Sequence, residues 1–233
     1  MRHFLGVIGG MGPLANSDFL RKLVDHTSAK NDQENIPVIV YGDCTTPDRT
    51  DSIIGDGPSP FPQLLEAVQF LNGAGVGSIC ITCNSAHHWH SELEKHSEVP
   101  VFNIIKSSAD QVRKKNPNIK TVGVLSTFGT FQVGIYEKAL KDLGFNVVLP
   151  THEEFRDFVS PGIALIKADQ LHEAEIVFEK ASDCLVKRGA EIVILGCTEI
   201  PLGMQQQYAR NPDAFVDSSD ALAISIAEFY SKY

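Results

Sequence analysis

The chain has 233 residues, 43% of them hydrophobic, and 29 acidic against 20 basic side chains give it a formal charge of −9. Phosphate binding needs a basic face, so this balance excludes nucleic acid as the main partner. The length suits one large α/β domain or two lobes of roughly 100 residues each.

The first residues, MRHFLGVIGG, lack the apolar core of a signal peptide. No apolar run approaches the roughly 20 residues needed to span a bilayer. The expectation is a cytoplasmic protein with no membrane partner. Five cysteines scattered over the chain do not form the framework of a small secreted domain, and they are expected to be reduced.

In chain order, β-branched runs FLGVIGG, IPVIVYGD, GSICIT, VPVFNI, TVGVLST, NVVLP, AEIVILGC and DAFVD read as strands. Between them lie helical patterns such as PQLLEAVQFLNGAG and EAEIVFEKASDCLVKRGA, with apolar residues at i, i+3 and i+4. Continuous apolar strands separated by helices predict parallel sheets covered on both faces.

The chain also repeats itself. LGVIGGMGP (5 to 13) aligns with VGVLSTFGT (122 to 130), pairing Gly6 with Gly123 and Gly12 with Gly129 at an offset of 117. GSICITCNSAH aligns with AEIVILGCTEI, pairing Cys83 with Cys197 at an offset of 114. The expected fold is therefore α/β with two similar lobes, each a parallel sheet flanked by helices, related by a pseudo-two-fold axis with the active site in the cleft between them. The predicted boundaries are 1–105 plus 211–233 for the lobe of Cys83 and 106–210 for the lobe of Cys197. The strand and helix of NPDAFVDSSDALAISIAEFY are expected to return to the first lobe.

The cluster CNSAHHWH admits several chemistries. A redox pair of Cys80 with Cys83 is disfavoured, because residues three apart on a strand face opposite ways; Cys80 reads as an inert core thiol, as does Cys184 on its helix. A zinc site of Cys83, His87, His88 and His90 lacks a second cluster to complete four ligands, so no metal is expected. On a helix after Cys83, His87 faces the same way, whereas His88 and His90 are expected toward solvent or neighbouring chain. Gly10, Gly12 and Ala15 with Asp43 form a loose dinucleotide fingerprint, but Asp43 comes late and Pro13 stiffens the turn. The preferred reading is a tight strand-to-helix turn whose N–H groups can hold a carboxylate.

A thiol at a strand end and helix start has its thiolate favoured by the helix dipole and by free N–H groups. Cys83 and Cys197 both fit, with Asn84 and Ser85 beside the first and Thr198 and Glu199 beside the second. Two thiols facing each other across an α-carbon can take a proton from one face and return one to the other, inverting the stereocentre.

With these residues in view, the chain resembles the aspartate/glutamate racemase family along essentially its whole length. GGMGP, TTPDRT (45 to 50), CNSAH (83 to 87), STFGT (126 to 130), IK (166 to 167) and GCTEIP (196 to 201) occur in the family's order. The resemblance is greater to aspartate racemases, since glutamate racemases usually have histidine at the position of Glu199. Ser85 stands where the family more often has threonine, and it keeps the hydroxyl.

The resemblance implies a cofactor-independent racemase with Cys83 and Cys197 as acid/base thiols, acting on a small dicarboxylic amino acid, and a homodimer. The α-carboxylate would be held by Asn84, Ser85, Thr127, Thr198 and N–H groups near Met11 and Gly12, and the side-chain carboxylate by Arg49 or Lys167. No lysine is singled out for a Schiff base, so no cofactor is expected. Two alternatives stand beside this: a single-cysteine isomerase or decarboxylase of a related dicarboxylate, and a non-catalytic dicarboxylate-binding module. The segment SIIGDGPSPFP (52 to 62), near Arg49, is a candidate lid.

Overall fold

The structure is a computed structural model describing residues 3–232. The chain forms two compact units, one running up to Ile104 and resuming at Ser219, the other spanning Ile105–Ser218.

The first unit is built on strands β1 (Leu5–Gly9), β2 (Val38–Gly42), β3 (Ser78–Ile81) and β4 (Val101–Phe102). They form one parallel sheet in the order β2-β1-β3-β4. β1 and β3 are buried along their whole length because they lie in the middle of a sheet covered on both faces. β2 is an edge strand, and its residues alternate between exposed and half-buried. The helix Phe61–Gly73 buries Leu64, Ala67, Val68 and Leu71, one stripe at helical spacing. That stripe packs in one apolar cluster with Ile8, Ile79 and Ile81. The helix Pro13–His26 buries Ala15, Phe19 and Leu23 in the same rhythm.

The second unit repeats this plan with β5 (Thr121–Ser126), β6 (Asn146–Val148), β7 (Ile192–Gly196) and β8 (Phe215–Asp217), parallel and ordered β6-β5-β7-β8. The helix Leu171–Lys187 buries Ala174, Phe178, Ala181 and Leu185. Gly123 of β5 lets this layer sit close, since a Cβ there would lie 3.0 Å from Ala190 and 3.2 Å from Leu185. All eight strand-like runs form strands, and the two sheets share one order, which is the structural content of the internal repeat.

One boundary differs from the expectation. DAFVD supplies a strand of the second sheet, with Val193 opposite Phe215 and Leu195 opposite Asp217. Only from Ser219 does the chain rejoin the first unit. There, along the helix Ser218–Tyr230, the Tyr230 hydroxyl meets Ser78 Oγ at 2.9 Å and Phe229 packs edge-on against Phe102. A three-residue strand buried throughout carries no periodicity to say which sheet it joins. The repeat does carry that information, because the 114-residue offset of the two cysteines also takes Val101 of β4 onto Phe215 of β8.

The 52–62 segment is shorter as a loop than its composition suggests. Its first residues finish the helix Arg49–Ile54, which ends on Gly55 in the left-handed region, and Phe61 begins the next helix.

Candidate active site

In a sheet ordered 2-1-3-4 the chain winds one way from its first strand and the other way from its third, and ligands bind beyond the carboxyl ends of those two strands. In the first unit this point is flanked by the turn after β1 and by Thr82–Cys83 after β3. Gly10 has φ +88°, and a Cβ there would lie 2.5 Å from the Asp43 carbonyl, so only glycine makes this turn. Met11 is buried, the Met11–Gly12 peptide bond is cis, and Gly12 leads directly into the helix Pro13–His26.

Arg49 opens the helix Arg49–Ile54, whose N-cap Asp48 accepts from the N–H groups of Thr50 and Asp51. The half-buried guanidinium donates to the carbonyls of Thr46 (3.2 Å), Pro47 (3.0 Å) and Met11 (3.3 Å). Arg49 and Met11, both singled out from sequence, are thus in contact. Asp43, the acidic residue of the dinucleotide reading, is used locally. It accepts from the Thr45 hydroxyl and N–H, which hold its carboxyl below the usual range.

Cys83, Asn84, Ser85 and His87 are all buried at the end of β3, where the chain turns into the 3-10 segment Ser85–Trp89. His87 is the clamp of this turn. Its Nδ1 bonds the Cys83 carbonyl at 2.8 Å and its Nε2 accepts the Ile104 N–H at 3.1 Å. One nitrogen must then donate and the other accept, which fixes the neutral ring. Burial, followed by the nearby His90, pushes the His87 pKa down to about 3.

Of the two outcomes expected for His90, the ring faces neighbouring chain rather than solvent: it is buried, stacks on His87 at 5.3 Å, and meets the Val101 carbonyl at 3.2 Å. The helix His90–His96 starts at that residue and rotates it inward. His88 is exposed, edge-on to Trp89. Cys80 is wholly buried, and desolvation pushes its thiol up, away from reactivity. Among the described residues no group of three or more His, Cys, Asp or Glu side chains is arranged to hold a metal ion.

In the second unit the corresponding point lies between β5 and β7. Thr127 caps the helix Phe128–Gln132, its Oγ1 accepting from the Thr130 N–H at 3.2 Å and bonding the Thr130 hydroxyl at 3.0 Å. Cys197 and Thr198, both buried, follow β7. The Cys197 thiol donates to Glu199 Oε2 at 3.0 Å, and the Thr198 hydroxyl donates to the same oxygen at 3.3 Å. Glu199 is buried itself, at 7% exposure, so the carboxylate is held in place by the thiol and hydroxyl it accepts from.

Lys167 is exposed at the end of the helix Ser160–Lys167. Its neighbour Ile166 packs against the turn after Cys197, where a Cβ on Gly203 would lie 2.4 Å from Ile166 Cδ1. Behind Cys197, the Tyr136 ring closes over Gly196 and its hydroxyl meets Ser108 at 3.2 Å.

Each switch point therefore collects its own set of predicted residues: Met11, Gly12, Arg49, Cys83, Asn84 and Ser85 in one unit, Thr127, Cys197 and Thr198 in the other. Sequence reasoning noted Glu199 only as a polar neighbour and missed Tyr136. The pattern Cys-x-Glu at a strand end was the available signal for Glu199.

Two doubly wound sheets of one order, each followed by a buried thiol, define a duplicated α/β protein. The model of the Asp/Glu/hydantoin racemase family matches residues 8–225. The chain belongs to that family. It is 28% identical to the broad specificity amino-acid racemase RacX of Bacillus subtilis (strain 168), over 98% of this chain and 99% of that one. It is 32% identical to the glutamate racemase of Aquifex pyrophilus, over 71% of this chain and 63% of the relative. The Picrophilus torridus aspartate racemase superposes with a TM-score of 0.84 at 28% identity, covering 98% of this chain and 94% of the other.

Proposed function

We propose that the protein is a cofactor-independent racemase that interconverts L- and D-aspartate, with glutamate the second candidate substrate, by passing the α-proton between Cys83 and Cys197. The observation that carries this reading is the matched placement of the two cysteines after β3 and β7, one of them donating to a buried carboxylate at 3.0 Å.

Inversion needs a base to take the proton and an acid to return one on the opposite face. Cys197 and Glu199 together hold one shareable proton. With that proton on sulfur, Cys197 is the acid; with it on Glu199, Cys197 is the thiolate base. Cys83 must then start in the opposite state, because two thiols cannot begin the reaction and two thiolates cannot end it. The rate should rise and fall with pH as a bell governed by both groups.

In this proposal Asn84, Ser85, Thr198 and the N–H groups near Met11 and Gly12 hold the α-carboxylate and stabilise charge as the proton leaves. Thr127 contributes from its cap position. Arg49, already oriented by three carbonyls, presents its planar fork to the side-chain carboxylate, and Lys167 is the second cation.

The names of the relatives set the substrate panel: L-aspartate, L-glutamate and a set of neutral L-amino acids. The test is chiral analysis after incubation with purified protein treated to remove pyridoxal phosphate. Formation of D-aspartate above all other products supports the proposal. Inversion of neutral amino acids alone would replace the dicarboxylate assignment with another racemase substrate, and no inversion of any would favour single-cysteine chemistry or binding alone.

A further inference from the structure

The helix Pro13–His26 turns one polar side chain inward beside the β1 turn. Asn16 is only 9% exposed. Its Oδ1 accepts from the hydroxyl of Thr82, the residue before Cys83, at 3.1 Å. The carboxamide stands over Gly9, where a Cβ would lie 2.2 Å from Oδ1 and 2.6 Å from Cγ. A side chain at position 9 and the Asn16 amide therefore compete for the same space.

The backbone N–H of Asn16 is used on the Gly12 carbonyl, and its Oδ1 on Thr82. The side-chain NH₂ makes no hydrogen bond among the described residues. That nitrogen is not among the fully enclosed polar atoms left without a partner, so it opens onto accessible space where a ligand can meet it. The open donor sits between the ends of β1 and β3, in the first turn of a helix whose N-cap Gly12 brings no side chain and whose Pro13 brings no N–H. An N-terminal turn of this kind favours an anion.

We propose that Asn16 is a substrate-contacting residue: its free NH₂ donates to a carboxylate oxygen of the ligand at the β1–β3 switch point, while the bond to Thr82 holds the amide in that orientation. The assignment rests on the amino-acid reading of this site, and a neutral amide is what it requires, since an acid at position 16 would repel the ligand's carboxylate.

The test compares wild type with Asn16→Asp, Asn16→Ala and Thr82→Val. Asn16→Asp keeps the acceptor for Thr82 and changes only the free donor into a charge. The readouts are KM and kcat for L-aspartate, and binding of succinate, an unreactive dicarboxylate, by calorimetry. The expected result for Asn16→Asp is a KM raised about 10- to 100-fold, the size of a lost bond to a charged group, with succinate affinity reduced by the same factor. Asn16→Ala should show a smaller rise, and Thr82→Val, which frees the amide to turn, a KM raised by less than in Asn16→Asp.

If Asn16→Asp matches wild type in KM and in succinate affinity, the contact does not exist. Equal losses of thermal stability in all three variants with KM unchanged would likewise reduce Asn16 to a structural role. Should wild type bind succinate but invert no amino acid, loss of binding in Asn16→Asp would sustain this assignment while the racemase reading fell. Failure of wild type to bind any carboxylate at millimolar concentration would overturn both.

Discussion

At the scale of single residues, Glu199 carries the sharpest consequence. Its carboxylate accepts directly from the Cys197 thiol. Glu199→Gln keeps an acceptor of the same shape but cannot take the proton. Loss of a positioned proton acceptor costs roughly 100-fold or more in rate. We expect a racemisation rate reduced by about that factor, with one limb of the pH profile displaced; kcat/KM measured from pH 6 to 10 checks it, and an unchanged profile would remove Glu199 from the proton path.

His87 makes a second prediction, on stability rather than rate. Its pKa is held near 3 in the fold, against an unfolded value of about 6.5. Between those values the unfolded chain binds the extra proton, so stability falls as pH drops below about 6.5, by up to about 1.4 kcal/mol per pH unit. Urea unfolding of wild type should lose about 2 kcal/mol between pH 7 and pH 5 from this group, and His87→Gln should lack that loss. Equal pH slopes in the two proteins would contradict the clamp.

The two cysteines were legible as a pair because each ends an apolar strand and precedes small polar residues. Glu199 and Asn16 were not, since their roles depend on how a turn and a helix face rotate. For His90 the sequence left solvent and neighbouring chain both open, and the helix that begins at the residue itself goes with the buried one.

At the scale of elements, the strand ends are held by close packing that the sequence only hints at. Gly196 ends β7, and a Cβ there would lie 2.7 Å from the Tyr136 ring and 3.1 Å from the Leu125 carbonyl. Gly196→Ala must move either a fully buried tyrosine or the β5 backbone. The expected cost is about 1–3 kcal/mol in chemical unfolding, the usual range for overpacking, together with reduced racemisation as Cys197 shifts. A variant as stable as wild type would show that the tyrosine gives way freely.

The strands themselves were all readable because central strands of a covered parallel sheet are continuous apolar runs. The one misassignment, β8, is a strand of three residues whose partner is fixed by pairing with β7 rather than by its own pattern. Only the repeat offset could have assigned it correctly.

For the whole molecule, the chain crosses between units at Ile104–Ile105 and again at Ser218–Ser219. The last helix, leaving β8 of the second sheet, buries Leu222, Ala223 and Ile226 and ties Asp220 to His26 at 2.6 Å in the first unit. Truncation after Asp217 should therefore unprotect the amides of β1 and β3 in hydrogen exchange while β5 and β7 keep theirs. Uniform loss across both sheets would mean that the units do not hold their stability separately.

The proposed chemistry depends on one cysteine from each unit, and its most direct measurement is α-proton exchange. L-Aspartate is incubated in D₂O with wild type, Cys83→Ser and Cys197→Ser, and followed by proton NMR beside chiral analysis. The account predicts exchange with inversion in wild type and no inversion in either variant, with one-way exchange surviving at most. Racemisation retained by either single variant would contradict the two-thiol mechanism.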